Sequence, residues 1–315
     1  MCLVIQARSG QFFTPNNIVD QANAMIVSGI FAVGAFMVII SGGIDVSFPA
    51  LASLSVYVVV RWSLDVEYQG NIIVPLIMVC GLGALLGALN GLLVSKLTVS
   101  SMILTLGTSS VFRGIMQGVL EAGQMQSLPR AYDEFAKANL FVAQNAETGI
   151  TSNMPALFLV LVAIVLIAFF IMRYTMFGRA IYAIGGDENS AKRAGFNVGA
   201  TKFWLYVLVG AIASVAGLIR TCQTGIMHPT NLMGSEMMVI AAVVLGGTAI
   251  TGGVGTLTGA MLGTVLISIV QNSLILLGVP TFWQGFFLGV LIIVGTGISA
   301  MQVARQNNKL VGIKQ

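Results

Sequence analysis

The sequence predicts an all-α fold: a polytopic transmembrane helical bundle with discontinuous helices and a short helix on its cytoplasmic face, spanning residues 1–315 as one transmembrane domain. Three observations predict it. Hydrophobic residues fill 57% of the chain and Asp, Glu, Lys and Arg only 8%, against about a quarter charged in soluble domains, too few to dress a water-facing surface. The mean hydropathy of +0.93 is carried along the whole length, which excludes a soluble domain on a single anchor. Glycine, at 37 residues, suits helices that approach closely in lipid.

A hydrocarbon core about 30 Å thick takes about 20 apolar residues to cross. Nine apolar stretches run at 22–40, 46–60, 72–96, 101–120, 154–172, 203–220, 236–251, 254–278 and 282–301. Seven or eight crossings are expected from them, the shorter stretches being halves of broken helices. Ahead of them, Met1–Ile5 is an apolar scrap followed by Gln6, Arg8 and Ser9, too brief for a signal-peptide core, and it reads as the tail of a lost span. Two interruptions look alike: Ser41–Pro49, with Gly42, Gly43, Asp45 and Ser47, and Gly246–Gly255, opening on Gly246 and Gly247. Matching interruptions in two halves of a bundle mark discontinuous helices, whose free backbone groups are tolerable only beside a cavity or against protein. Two ordinary interhelical turns fit the spacing equally well.

Short cytoplasmic loops are enriched in Lys and Arg. Residues 173–202 hold Arg173, Arg179, Lys192, Arg193 and Lys202 against Asp187 and Glu188, so this loop is expected inside. Arg305, Lys309 and Lys314 place the C-terminus inside as well. Residues 121–153 carry Glu121, Asp133, Glu134 and Glu147 against Arg130 and Lys137, and are expected outside as a partly ordered loop with a short helix.

Chemistry-bearing residues are few. Cys2, Cys80 and Cys222 have neither metal-ligand spacing nor the even count of a disulfide framework. His228, the one histidine, precedes Pro229 in a short outer loop and reads as a surface residue without a metal partner. Neither a catalytic constellation, a metal site nor a cofactor is expected. The net charge of +4 sits in short loops and not on one soluble face, so it reports orientation against a lipid bilayer and not a nucleic-acid partner. Ionisable groups at membrane depth cost roughly 2.5–3.5 kcal/mol on insertion scales and mark functional candidates: Asp45, Arg113 and Glu236. Asp45 either accepts hydrogen bonds from exposed N–H groups of a helix break, capping the next helix beside Ser47, or lies in a turn at the inner surface. Arg113 and Glu236 either line a route or pair structurally, the pair being preferred. Asn90, Gln117, Gln271 and Asn272 lie in apolar runs, where amides bridge helices or meet hydroxyls of a passing solute. Gly42, Gly43, Asp45, Ser47, Asn90, Gly246 and Gly247 are thus the candidates for lining a translocation path.

The sharpest feature runs from Gly178 to Val198. It reads as two short helical pieces around a Gly185-Gly186 hinge, the second capped by Asp187 or Asn189 and stopped by Gly195. This segment resembles the coupling loop of the permeases of ribose- and galactose-type bacterial ATP-binding-cassette importers. Thr14-Pro15-Asn16-Asn17, Gly42-Gly43-Ile44-Asp45-Val46-Ser47, Asn90-Gly91-Leu92-Leu93, Thr105-Leu106-Gly107-Thr108 and Phe112-Arg113-Gly114 resemble further segments of that family in order, so the likeness covers nearly the whole chain. Phe48-Pro49 and Ser100-Ser101 depart from it near the expected path and leave the exact solute open.

The resemblance implies a permease subunit for a sugar or sugar-like solute, with cytosolic ATPase subunits, an extracytoplasmic solute-binding protein and a second permease subunit as partners. It also implies an additional first span. The residues implied to touch the ATPase are Gly178, Arg179, Gly185, Gly186, Asp187, Glu188, Ala191, Arg193, Ala194 and Gly195, with the small Ala191 and Ala194 against the partner. The chain has no phosphate loop ending in Lys-Ser or Lys-Thr, so ATP belongs to another chain. A channel or ion-coupled secondary transporter is the rival reading. It would need ionisable relays inside the membrane, of which this sequence has few.

Overall fold

Among the described residues eleven α-helices are joined by glycine-rich turns and one small hairpin in a computed structural model, which describes residues 6, 10, 12–144, 149, 151–280, 283–290, 292–295 and 297. In chain order they are α1 (Pro15–Ile40), α2 (Phe48–Asp65), α3 (Ile73–Lys96), α4 (Ser101–Gly114), α5 (Arg130–Lys137), α6 (Leu157–Tyr174), α7 (Met176–Gly186), α8 (Glu188–Arg193), α9 (Val198–Thr224), α10 (Glu236–Leu245) and α11 (Leu257–Leu276), α8 being the short helix that the sequence places on one face of the bundle. Residues 283–290 and 292–295 are helical too. Met1–Ile5 and the basic tail with Arg305, Lys309 and Lys314 lie outside the described residues.

Among the described residues α1, α3, α6, α9 and α11 are long and apolar enough to cross a membrane. Contacts at their tips show that α2 and α4 also run the length of the bundle. At one end Arg61 of α2 donates to the Leu120 carbonyl at 3.0 Å, Ser63 meets Tyr132 of α5 at 3.1 Å, and Gln223 of α9 donates to Asn23 of α1 at 2.8 Å. At the other end the loop after α1 meets Ser101, the first residue of α4. Helix α10, with 10 residues, is too short to cross alone. The chain is therefore an all-α polytopic membrane protein.

Helix α1 is the axis. Its second half, including Ile30, Phe36, Val38 and Ile40, is buried on every side, as a helix apolar all round must be. Beside it α3 and α9 approach closely: glycines four apart, Gly83, Gly87 and Gly91, put backbone against Ser214, Gly210, Tyr206 and Phe203. The outward faces carry Ile77, Leu85, Leu166, Phe170 and Leu262, all exposed, the expected dressing of a lipid-facing surface.

The 121–153 segment departs from expectation in one respect. Helix α5 is the anticipated short helix, but Asn139–Gln144 (β1) and Thr151–Pro155 (β2) pair antiparallel, with a register shift between Asn139 and Phe141. Period-2 patterning could not announce this hairpin, since β1 exposes nearly all its residues and β2 is mostly polar. Helix α4 likewise does not continue regularly to residue 120, but loosens into a π-helical turn at Ile115–Val119.

The α3–α9 seam generates the first prediction. A side chain at Gly87 would drive into the Tyr206 carbonyl and lie 3.1 Å from the Gly210 Cα, whereas Gly81 has nothing within 4 Å. Gly87→Val should lower the detergent unfolding midpoint as an overpacked core does, at about 1–3 kcal/mol, and Gly81→Val should leave it within about 0.5 kcal/mol. Thermal unfolding of the two variants side by side checks this.

Candidate functional site

The first break follows from a helix that must stop inside the bundle. After Ile40 the chain closes α1 with paired bonds, Gly43 N–H to the Val38 carbonyl at 3.2 Å and Gly42 N–H to Ile39 at 2.9 Å, around Gly42 at φ +80°. That is a Schellman stop, which favours glycine at the left-handed position. The second break opens identically: Thr248 N–H bonds Val243, Gly247 N–H bonds Val244, and Gly247 sits at φ +89°. One device is used twice, at Gly42 and Gly247.

Past the first stop the chain leaves the helix through Gly43 and Ile44 and is buried from Asp45 to Ser47, and a buried N–H without a partner costs about 1–3 kcal/mol. Helix α4 supplies the partners. Ser101 Oγ accepts from Ile44 N–H at 2.9 Å, Thr105 Oγ1 accepts from Val46 N–H at 3.2 Å and reaches the Ile44 carbonyl at 3.3 Å. Asp45, 4% exposed, accepts from both the N–H and the hydroxyl of Ser47 at 2.7 Å. Asn90 of α3 donates to the Ser47 hydroxyl at 2.8 Å. Asp45 thus anchors the break by accepting hydrogen bonds and does not lie in a surface turn. It is not the cap of α2, because the cap position is Ser47, whose side chain makes no capping bond.

The 178–198 segment folds as helix–turn–helix, with two corrections. Gly185 and Gly186 are the last turn of α7 and not a hinge; the chain breaks at Asp187, which is extended at φ −158°. Asp187, not Asn189, caps α8, its carboxylate accepting from Ser190 N–H at 2.6 Å, and that serine holds the acid below its ordinary range. Gly195 ends the helix at φ +89°. The two alanines do not share a face: Ala191 is 3% exposed and packed on its own chain, leaving Ala194 open with Lys192 and Arg193. The polypeptide's own packing claims Ala191 first. Glu188 pairs with Lys202 at 2.6 Å, and Gly178 fits under Ile171 and Met172 where α6 turns into α7. Arg179 is exposed.

These pieces converge. A Cβ at Gly185 would collide with the Ile40 carbonyl oxygen, to which Gly253 N–H donates at 2.9 Å. A Cβ at Gly252 would lie 2.7 Å from Gly42 Cα, and one at Gly253 2.7 Å from Gly186 Cα. The end of α7, the stop of α1 and the far part of the second break therefore touch backbone to backbone. Gly246, by contrast, serves α10–α11 packing, lying against Gly259 and Ala260, and Gly247 has open space around it; neither reaches the Asp45–Ser47–Asn90 cluster directly.

Against this junction opens a cavity of about 610 Å³ bordered by Ser41–Gly43, Lys96, Ser101, Gly185–Glu188, Lys202 and Tyr206. A methyl group at Gly43 would sit 3.2 Å from Ser101 Oγ and 3.5 Å from the Tyr206 hydroxyl. Sequence reasoning set Ser101 near the expected path and Gly252 and Gly253 in the second interruption without singling them out as site residues, and it missed Tyr206. Hydroxyls four apart at Ser101 and Thr105 in an apolar helix were the available signal for α4.

Elsewhere Arg113 and Glu236 pair at 3.3 Å between α4 and α10, and Glu236 also accepts from Gly234 N–H at 2.8 Å, so the structural reading of the pair holds. Asn272 donates to Asn17 at 3.1 Å and Gln271 contacts Met238 sulfur at 3.0 Å, bridging helices. Gln117 is exposed. His228 is half-buried, with Nδ1 accepting from Thr230 N–H at 3.3 Å.

Residues 17–295 match the sequence model of the family described as branched-chain amino acid transport system / permease component. The chain belongs to this family. The permease is similar to the ribose import permease protein RbsC of Escherichia coli (strain K12), 31% identical over 296 residues that cover 92% of this chain and 87% of the relative. The Bacillus subtilis (strain 168) RbsC is 32% identical over 294 residues, with coverages of 93% and 88%. The D-allose transport system permease protein AlsC of Escherichia coli (strain K12) is 31% identical over 290 residues, at 92% and 85%. No solved structure matches the permease.

The junction predicts a sharp contrast between neighbours. Gly185→Ala must displace α1 or the second break, since its contact is backbone, while Gly186 has nothing within 4 Å. Gly185→Ala should lower the unfolding midpoint by an overpacking cost of about 1–3 kcal/mol, and Gly186→Ala should not. Differential scanning of the two purified variants decides between them.

Proposed function

We propose that this chain is the membrane-spanning permease subunit of an ATP-binding-cassette importer and forms the translocation path for a sugar or sugar-like solute. The observation that carries the reading is the meeting of the α7–α8 segment with both helix breaks at Gly42, Gly185 and Gly252-Gly253. A partner bound at α8 then acts on the breaks through contacting backbone and not through flexible side chains. Packed elements of this kind are bistable and not continuously deformable. The names of the relatives, ribose import permease and D-allose transport permease, support the solute class.

In this reading residues 173–202 face the cytoplasm and 121–153 the outside, following the positive charges. A cytosolic ATPase subunit docks on the open face of α8, a second permease subunit with its own ATPase completes the path, and an extracytoplasmic binding protein delivers the solute at the hairpin end. The protein breaks no bond itself. Its part is to let ATPase closure move the breaks beside the Asp45–Ser47–Asn90 cluster.

Because Ala191 is already buried in its own chain, docking falls to Ala194 and its neighbours. Exposed rim charges are worth roughly 0–1 kcal/mol each, so bulk should hurt more than charge loss. Ala194→Trp should abolish copurification of the ATPase and solute uptake, and Lys192→Ala should weaken them less than about fivefold. A folded, inserted Ala194→Trp that remains coupled would remove α8 as the docking element. Orientation is checked separately: an impermeant thiol reagent added to intact cells should label Lys137→Cys and spare Ser190→Cys.

A further inference from the structure

A second cavity, of about 320 Å³, opens where the end of α6, the middle of α7 and the start of α11 meet, bordered by Phe169, Met172, Arg173, Tyr182, Thr256 and Thr258. Its size falls within the range of about 300–1,000 Å³ usual for small-molecule sites. Tyr182 ties two of its sides together, donating its hydroxyl to the Gly255 carbonyl at 3.0 Å and so fastening α7 to the end of the second break. The neighbouring outward faces of α6 and α11 are apolar and open, with Phe170, Leu262 and Leu266 exposed, so the cavity opens toward the bilayer.

The lining changes character along the helices. Arg173 is the last residue but one of α6 and Thr256 caps the start of α11, so the polar end of the cavity stands where both helices end. One turn deeper α6 presents Phe169. The rings of Phe169 and Phe170 lie 6.2 and 5.6 Å from that of Tyr174, an aromatic cluster of the kind found at a membrane–water interface. Arg173 is exposed and makes neither a hydrogen bond nor an ion pair among the described residues, and no acidic residue borders the cavity. The junction cavity differs in this respect, since Lys96 and Lys202 stand there with Asp187 and Glu188. A guanidinium is always charged and its fork matches phosphate oxygens. The first N–H groups of α11 have no helical carbonyl to pair with; Thr256 takes that of Gly259 at 3.1 Å, and those of Leu257 and Thr258 add their partial positive charge at the same end.

We propose that this cavity binds an anionic phospholipid, with Arg173 and the first turn of α11 holding the phosphate while Phe169 and Met172 receive the start of an acyl chain. Free phosphate would use the same charged groups but leave the apolar half of the lining uncovered, which favours the lipid. The site asks only that α6 and α11 span a bilayer, so it goes beyond the proposed import and does not depend on the solute. A lipid held here lies against the Tyr182–Gly255 bond and braces α7 on the second break.

The test titrates the assembled transporter, purified and delipidated in detergent, with dioleoyl phosphatidylglycerol and counts retained lipid by native mass spectrometry. The wild type should keep one tightly held phosphatidylglycerol per permease chain. Arg173→Gln should lose it or hold it about fivefold more weakly, the contribution of one basic residue at an anionic surface. Phosphatidylcholine, with the same chains and no net charge, should not take its place, and glycerol phosphate, the headgroup without chains, should not displace it at equal concentration. Thr258→Glu separates binding from folding, because a carboxylate in the first turn favours the helix itself and repels a phosphate. Its unfolding midpoint without lipid should match or exceed the wild-type value while the retained lipid is lost. Unchanged retention in either variant overturns the site, as does equal retention of phosphatidylcholine. Displacement by glycerol phosphate would make it a free-phosphate site and overturn the lipid assignment.

Discussion

The arrangement depends on one carbonyl oxygen, that of Ile40, the last residue of α1. It accepts the Gly253 N–H at 2.9 Å and packs against Gly185 so closely that a single Cβ there would collide with it. Three segments distant in sequence thereby share one point. Interiors packed at this density transmit displacement and do not absorb it, so the end of α7 cannot shift by an ångström without moving the stop of α1 or the second break. The rest of the architecture, with the second half of α1 buried on all sides and α3 clamped to α9, packs around that point.

A helix that ends inside a membrane bundle must still satisfy its backbone, because no water is available to do so in the hydrocarbon. The first break meets this demand with hydroxyls of a neighbouring helix and one buried carboxylate. Ser101 and Thr105 take the place of missing helical carbonyls, and Asp45 does the same for Ser47. The Ser101 and Thr105 bonds tie the break to α4 and the Asn90–Ser47 bond ties it to α3, so satisfaction of the backbone and mechanical linkage largely coincide. Covered this way, the break borders a cavity without exposing bare peptide groups to lipid.

Much of this was legible in the sequence. The apolar stretches located the long helices, and the likeness between Ser41–Gly43 and Gly246–Thr248 is real, since both close a helix by the same stop around Gly42 and Gly247. Asp187 and Gly195 marked the limits of α8 because capping and left-handed stops are local rules. What stayed hidden was long-range. Spacing could not reveal that Gly185 and Gly253, 68 positions apart by number, meet at Ile40, nor that Ala191 would be consumed by its own chain while Ala194 stayed open. Gly185-Gly186 read as a hinge because glycine signals flexibility and close approach alike, and only the neighbours decide between them. The β1–β2 hairpin was illegible because β1 is exposed almost throughout and the alternation in β2 is carried by a mostly polar strand.

The central claim is that α8, the end of α7 and the second break move as one body relative to the bundle. Spin labels at Asn189→Cys on α8, Val254→Cys in the second break and Ile77→Cys on the lipid-facing side of α3 would measure it by electron–electron distance spectroscopy, in the transporter without nucleotide and trapped with it. The account predicts that the 189–254 distance distribution stays the same between the two states while the 189–77 distribution shifts. A 189–254 distance that changes as much as the 189–77 distance would contradict it, since α8 would then move without carrying the break.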